Sequence, residues 1–446
     1  MSSLGQDLER LVQEAHSRTA IPGLAVGVSV AGQRFSATAG TAGGAPMSAD
    51  ARFQIGCITK MLTSLVALDL VFAGKLSLDA PIQEYLPDLT MLAAQFPITV
   101  RHLGSHTSGY RGLNPGVPQY GYFYSWAKFV EFFRHTQQVF SPGTTFNYEH
   151  TESVILGEII RRVTGEPVEE IIRRKVLRPL GLRMGSGAGD SGQPLVSDFS
   201  VDAASGQYRP LRAVPFCSFW MASLSNWTAA VGDLTILAEH MAAPSAGWEL
   251  DLRAAPQAAR QVIDIPAVVA TSRSEHVPIA FGFGCAEYSG HLSGHNGSGR
   301  GQTCGLRFDS DRRMAIVVAL NTWQPYVRDY LLNAVSRLVG NLPQTAVRTL
   351  DVCDLESADV EGLYLGCVQG SRVEVSRDGA ELNYALADAS GEVKAHMTVA
   401  VDSDGAKLKT DIPHLSVGPF RAGPERTPCM MLGLNAFKKE PAATAH

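Results

Sequence analysis

The strongest constraint on this fold is an apolar helix that opens on a chemically active step. Phe53-Gln54-Ile55-Gly56 leads into Cys57-Ile58-Thr59-Lys60, and Ile58, Met61, Leu62, Leu65, Leu68 and Val71 then keep one apolar stripe to about Phe72. Gly74 supplies a C-terminal cap. This helix is expected to be central and buried. Residues three apart share a helix face, so the thiol of Cys57 and the amine of Lys60 sit one turn apart. Gly56 allows a tight entry, which turns Cys57 towards the positive end of the helix dipole and towards the Lys60 ammonium. Both influences favour thiolate over thiol. A structural lysine would snorkel to solvent, which an apolar run makes difficult. Cys-x-x-Lys alone is a weak signal, because a lone cysteine is usually a core residue.

The chain has 446 residues, 45% of them apolar, which exceeds a usual single domain and can bury a large core. A formal charge of −5, with acids and bases well mixed, leaves neither a basic face for nucleic acid nor an acidic tail. A small-molecule or acyl substrate fits this surface better. Residues 1–20 read as a surface helix with no continuous apolar segment of the signal-peptide kind. The run after Cys57 is broken by Lys60, Thr63, Ser64 and Asp69, so no membrane span is expected and the protein is placed in the cytosol. Seven scattered cysteines without C-x-x-C spacing read as reduced thiols, with no zinc site and no cofactor implied.

A helix over Leu4–Ser17 is followed by a hairpin, with Gly23 to Val30 as its first strand and a turn at Ala31-Gly32-Gln33. Short helices are expected to begin at Ser77-Leu78-Asp79-Ala80-Pro81 and at Ile98-Thr99-Val100-Arg101-His102-Leu103. Ser105-His106-Thr107-Ser108-Gly109 forms a polar turn, and helices recur over 151–164 and 167–177. Gly185 to Gly192 reads as a glycine-rich surface loop, and 228–242 as a helix. Residues 279–287, 302–308 and 314–321 read as strands, and 326–338 as a helix. Helices flanking an antiparallel sheet make an α+β or three-layer domain over residues 1–345. Short alternating strands from about 350 to 446, such as Gly362 to Gly366 and Arg372 to Val375, predict a small β-barrel-like C-terminal domain.

Two further motifs follow in order. Phe146-Asn147-Tyr148-Glu149-His150 precedes the helix at Thr151, and Gly294-His295-Asn296-Gly297-Ser298-Gly299 precedes the strand near Gln302. By themselves they read as a core or interface tyrosine, a surface histidine and a glycine-rich turn. Glycine suits a place where substrate lies against an edge strand, because a Cβ would block the approach. Together with Cys57-x-x-Lys60, their order and spacing resemble the serine β-lactamase and penicillin-binding-protein superfamily, in its class C-like, esterase and transacylase branch. Thr99 to Gly109, Leu156 to Ile160 with Val163-Thr164-Gly165, and Pro179-Leu180-Gly181-Leu182 extend the resemblance across residues 10–340.

The resemblance implies a β-lactamase-like fold: an antiparallel sheet flanked by helices, with a helical lobe. It implies that Cys57 stands where the family has its nucleophilic serine, with Lys60 beside it. Tyr148 would be the proton shuttle, with its acidity raised by Lys60. His295, Asn296, Gly297 and Ser298 would stand for the Lys-Thr-Gly element, in its His-x-Gly form. The backbone amides of Cys57 and Ser298 would form the oxyanion hole. His150 departs from the family's Asn or Ser, and is either a hydrogen-bonding substitute or an additional base. Ala222 to Trp227 departs from a glycine-rich turn.

An enzyme that forms an acyl-Cys57 thioester fits these residues better than a non-catalytic relative that binds an acyl or peptide-like ligand. A thioester discriminates towards amine attack, which favours acyl transfer between a small-molecule or carrier-bound donor and an acceptor, a chemistry that points to specialised metabolism. Esterase or peptidase activity is the alternative.

Overall fold

The first hairpin is made by its turn. Ala31 and Gly32 both take positive φ, the backbone that lets two residues reverse a twisted strand pair. In the computed structural model, α1 (Ser3–Thr19) precedes β1 (Gly23–Val30) and β2 (Gln33–Ala42), followed by β3 (Ala45–Pro46), β4 (Arg52–Gln54) and α2 (Thr59–Phe72). The structure describes residues 3–19, 21–92, 94–112, 125–186, 199–201, 208–210, 227–243, 263–264, 280–281, 284–288, 292–299, 301–340, 362–366, 372–378, 381–387, 393–402, 405–410, 417–422, 427–432 and 435–439.

The chain divides into two compact units. One holds Met1–Ser77, Ser153–Arg260 and Phe283–Thr345, and the other holds Leu78–Glu152, Gln261–Gly282 and Ala346–His446. The first unit continues with β5 (Gly185–Ser186), β6 (Trp227–Ala230), α3 (Val231–Ala242), β7 (Ala286–Tyr288), β8 (Leu292–Gly299), β9 (Gln302–Asp309), β10 (Met314–Leu320) and α4 (Pro325–Gly340). Its main sheet runs β3-β2-β1-β10-β9-β8-β7, with β1 antiparallel to β10, β10 to β9 and β9 to β8.

Helices cover both faces of that sheet. A side chain at Gly27 would strike Thr235 of α3, and one at Gly305 would meet Leu332 and Arg328 of α4. Gly27 pairs with Val317 and Gly305 with Val318, neighbours on β10 that point to opposite faces. Every residue of β9 and β10 is therefore buried. This is the β-lactamase-like arrangement of helices and antiparallel sheet.

Two local expectations need correction. Residues 228–230 belong to strand β6, which pairs with β4 through Phe53↔Ala229, so the helix begins only at Val231. Gly185 and Ser186 form β5 on the other side of β6, whereas the remainder of that glycine-rich stretch, and Ala222 to Asn226, lie outside the described residues. Tertiary pairing overrides a helical pattern in such short segments.

In the second unit, Thr99 caps the helix Val100–Gly104 with a capping box completed by His102. Strands between Gly362 and Lys439 form an eight-stranded antiparallel sheet in which Val375 pairs with the buried Tyr384. Among the described residues no helix is long and apolar enough to cross a membrane.

Candidate active site

Chain direction at Cys57 is set by Gly56, which sits at φ +50° in a short 3-10 turn, Gly56–Ile58, ahead of α2. A Cβ at Gly56 would overlap the backbone of Ser298, so only glycine lets this turn rest on β8. The approach to the turn is tied down on both sides. Gln54 N–H donates to Gln302 Oε1 at 2.8 Å, Ile55 N–H donates to the Trp227 carbonyl at 3.0 Å, and the Cys304 thiol lies 3.4 Å from the Ile55 carbonyl.

Cys57 is partly exposed at the mouth of this turn, and Lys60 is 2% exposed. Lys60 Nζ reaches the Cys57 sulfur at 3.2 Å, the contact expected of residues three apart on one face. The rest of the first three turns of α2 is buried, so Lys60 has no route to solvent other than towards the sulfur. Cys304 contrasts with Cys57: it is buried, and burial pushes its thiol up to about 12.

His295, Asn296, Gly297 and Ser298 lie within β8, where the sequence pattern pointed to a turn ahead of a strand. His295 and Gly297 pair with Leu306 and Cys304, and share one face of the sheet. His295 Nδ1 lies 2.5 Å from the Asn296 carbonyl oxygen, which can only accept, so Nδ1 carries the proton and Nε2 is the acceptor. Burial, followed by the Lys60 charge, pushes this imidazole down to about 3, and it is neutral at physiological pH. Asn296 turns to the opposite face, where its Oδ1 accepts from Arg307 at 2.8 Å. Ser298 is exposed, and its backbone abuts Gly56.

Tyr148 and His150 belong to the second unit. They are half-buried and alternate with buried Asn147 and Glu149, and their rings meet edge to face at 5.2 Å. Behind Tyr148 lies a group that sequence reasoning missed: His106, Ser108 and Glu152, all nearly inaccessible to solvent. The sequence marks His106 and Ser108 only as part of a polar turn, and Glu152 as an acid on the stripe that continues with the buried Ile155 and Ile159.

A Cys-x-x-Lys turn heading a buried helix, a glycine-bearing strand against that turn, and helices on both faces of an antiparallel sheet define a protein of the β-lactamase and penicillin-binding-protein class. The chain belongs to the Beta-lactamase family, whose model matches residues 8–341. It is 31% identical over 170 residues to Penicillin-binding protein 4 of Amycolatopsis lactamdurans, a match covering 36% of this chain and 44% of that protein. It is 29% identical over 158 residues to the ML-236A carboxylate methylbutanoyltransferase mlcH of Penicillium citrinum, covering 31% and 38%. The chain thus matches less than half the length of either relative. The crystal structure of SurE with D-Leu shares the fold at a TM-score of 0.75 and 20% identity, covering 99% of this chain and all (100%) of that one.

Proposed function

We propose that the protein is an acyltransferase that works through a thioester on Cys57. The contact that carries this reading is the 3.2 Å approach of a buried Lys60 amine to a partly exposed thiol. A buried amine held against sulfur accepts or shares its proton and keeps the sulfur nucleophilic.

Cys57 sulfur attacks the donor carbonyl and its proton is held on Lys60 Nζ. The backbone amides of Cys57 and Ser298 receive the oxyanion. Collapse breaks the bond to the leaving group, which takes up the proton from Lys60 through Tyr148. An acceptor amine or alcohol then attacks the thioester and gives its proton through Tyr148 back to Lys60. The C–S bond breaks, and the sulfur returns to its pairing with Lys60. Neutral His295 lines the site as an acceptor through Nε2, with Gly297 beside it on the strand, while Asn296 holds that strand through Arg307. His150 is an auxiliary group beside Tyr148. Donor and acceptor are small molecules, the donor free or carrier-bound.

Transfer is favoured over hydrolysis because sulfur gives its carbonyl little resonance stabilisation, which helps attack by neutral amines. The test is the amide-to-acid ratio when the acyl-enzyme meets amines at millimolar concentration. Wild type is expected to form amide in preference to acid, and Cys57→Ser to shift the ratio towards acid. Hydrolysis by wild type without any dependence on acceptor would instead assign an esterase.

A further inference from the structure

His106 is the residue in the second unit with the most unusual demands upon it. Its backbone takes φ +55°, a left-handed conformation that strains a non-glycine residue. Its imidazole is buried, with Nδ1 against Glu152 Oε2, and that contact requires a proton between nitrogen and oxygen, since two lone pairs would repel. Ser108 Oγ donates to the other oxygen of Glu152. Glu152 is wholly buried, and an apolar pair in the same space would be as stable or more so, because desolvating an acid is expensive. A turn with only a scaffold role would suit glycine or asparagine at the left-handed position and an apolar residue at 152.

What this expensive arrangement touches is Tyr148. The His106 ring lies 4.4 Å from the Tyr148 ring, centroid to centroid, tilted by 44°, and meets Phe146 edge-on at 6.2 Å. The residue before Tyr148 is fastened to His106 as well, Asn147 N–H donating to the His106 carbonyl at 2.8 Å. On the other side Glu149 is fixed by Thr151, its Oε1 accepting from Thr151 N–H and Thr151 Oγ1, both at 2.9 Å. His106 thus holds the tyrosine's ring and the peptide before it.

We propose that His106, locked by Glu152 and Ser108, is a positioning residue that sets the ring of Tyr148 for proton transfer. The proposal rests on Tyr148 being the proton relay of the acyl transfer described above. Fixing a relay group contributes to the rate at saturation and not to substrate affinity, because geometry matters at the moment of proton transfer.

The experiment measures acylation of the full chain by phenyl acetate, whose leaving group needs a proton, followed by intact-protein mass against time and concentration. Tyr148→Phe is expected to lower the saturating rate by about 10² to 10⁴-fold. His106→Ala is expected to lower it about tenfold or more, with little change in the half-saturating concentration, and to add no further loss in the Tyr148→Phe background. Glu152→Gln, which keeps the side chain's size, should show the same pattern with a smaller loss, and decides the matter if His106→Ala does not fold. Equal losses from His106→Ala with and without Tyr148, an effect confined to half-saturation, or wild-type rates in Glu152→Gln would overturn the positioning role. A wild-type rate in Tyr148→Phe would instead remove the relay reading, as would a wild-type protein that phenyl acetate does not acylate.

Discussion

At the scale of single residues, the site depends on which groups are charged. His295 is buried on β8, and burial and Lys60 keep it neutral, with the imidazole pushed down to about 3. The unfolded chain holds an ordinary histidine near 6.5. Between those values the unfolded state binds a proton that the native state refuses, so stability falls as pH drops from about 6.5 towards 3. From this group alone the loss is about 2 kcal/mol at pH 5. Urea unfolding at pH 7 and pH 5 is expected to show that His295→Asn loses less stability on acidification than wild type. Equal losses would mean that the imidazole is not excluded from protonation in the fold.

At the scale of elements, the contact between the 3-10 turn and β8 is the joint on which the site depends. Gly56→Ala introduces a side chain at φ +50° where the Ser298 backbone already sits. It is expected to cost about 1–3 kcal/mol and to slow Cys57 acylation, as measured by thermal unfolding and by intact mass. An alanine variant with wild-type stability and rate would show that the turn does not need this close approach. Much of this joint was legible in the sequence. The Cys57–Lys60 spacing foretold their contact, and Ala31-Gly32 foretold the hairpin, because both are local. In sequence, strand β8 resembles a turn because its glycines carry no alternating apolar signal, and pairing with β9 makes it a strand. Residues 228–230 looked helical because Thr-Ala-Ala continues the pattern of α3, and only β4, far away in sequence, draws them into a sheet. The contact of His106 with Glu152 spans 46 residues and has no periodicity to announce it.

At the scale of the whole molecule, the family match ends at residue 341, close to where the sequence pattern changes to short strands. A chain ending at Leu342 is therefore expected to keep the catalytic fold, with a cooperative thermal transition and Cys57 still open to acylation. The residues after 345 would then tune access or assembly. Loss of cooperative unfolding in that truncation would show that the strands from 362 onwards share the stability of the core.

The most direct test of acyl-cysteine chemistry is to incubate the full chain with a panel of activated esters, thioesters and β-lactams, then locate the adduct by intact and peptide mass. A single acyl group on Cys57 is expected, absent from Cys57→Ala and slower to form in Lys60→Ala. An acyl group on another residue, or turnover that survives Cys57→Ala, would contradict acyl-cysteine chemistry.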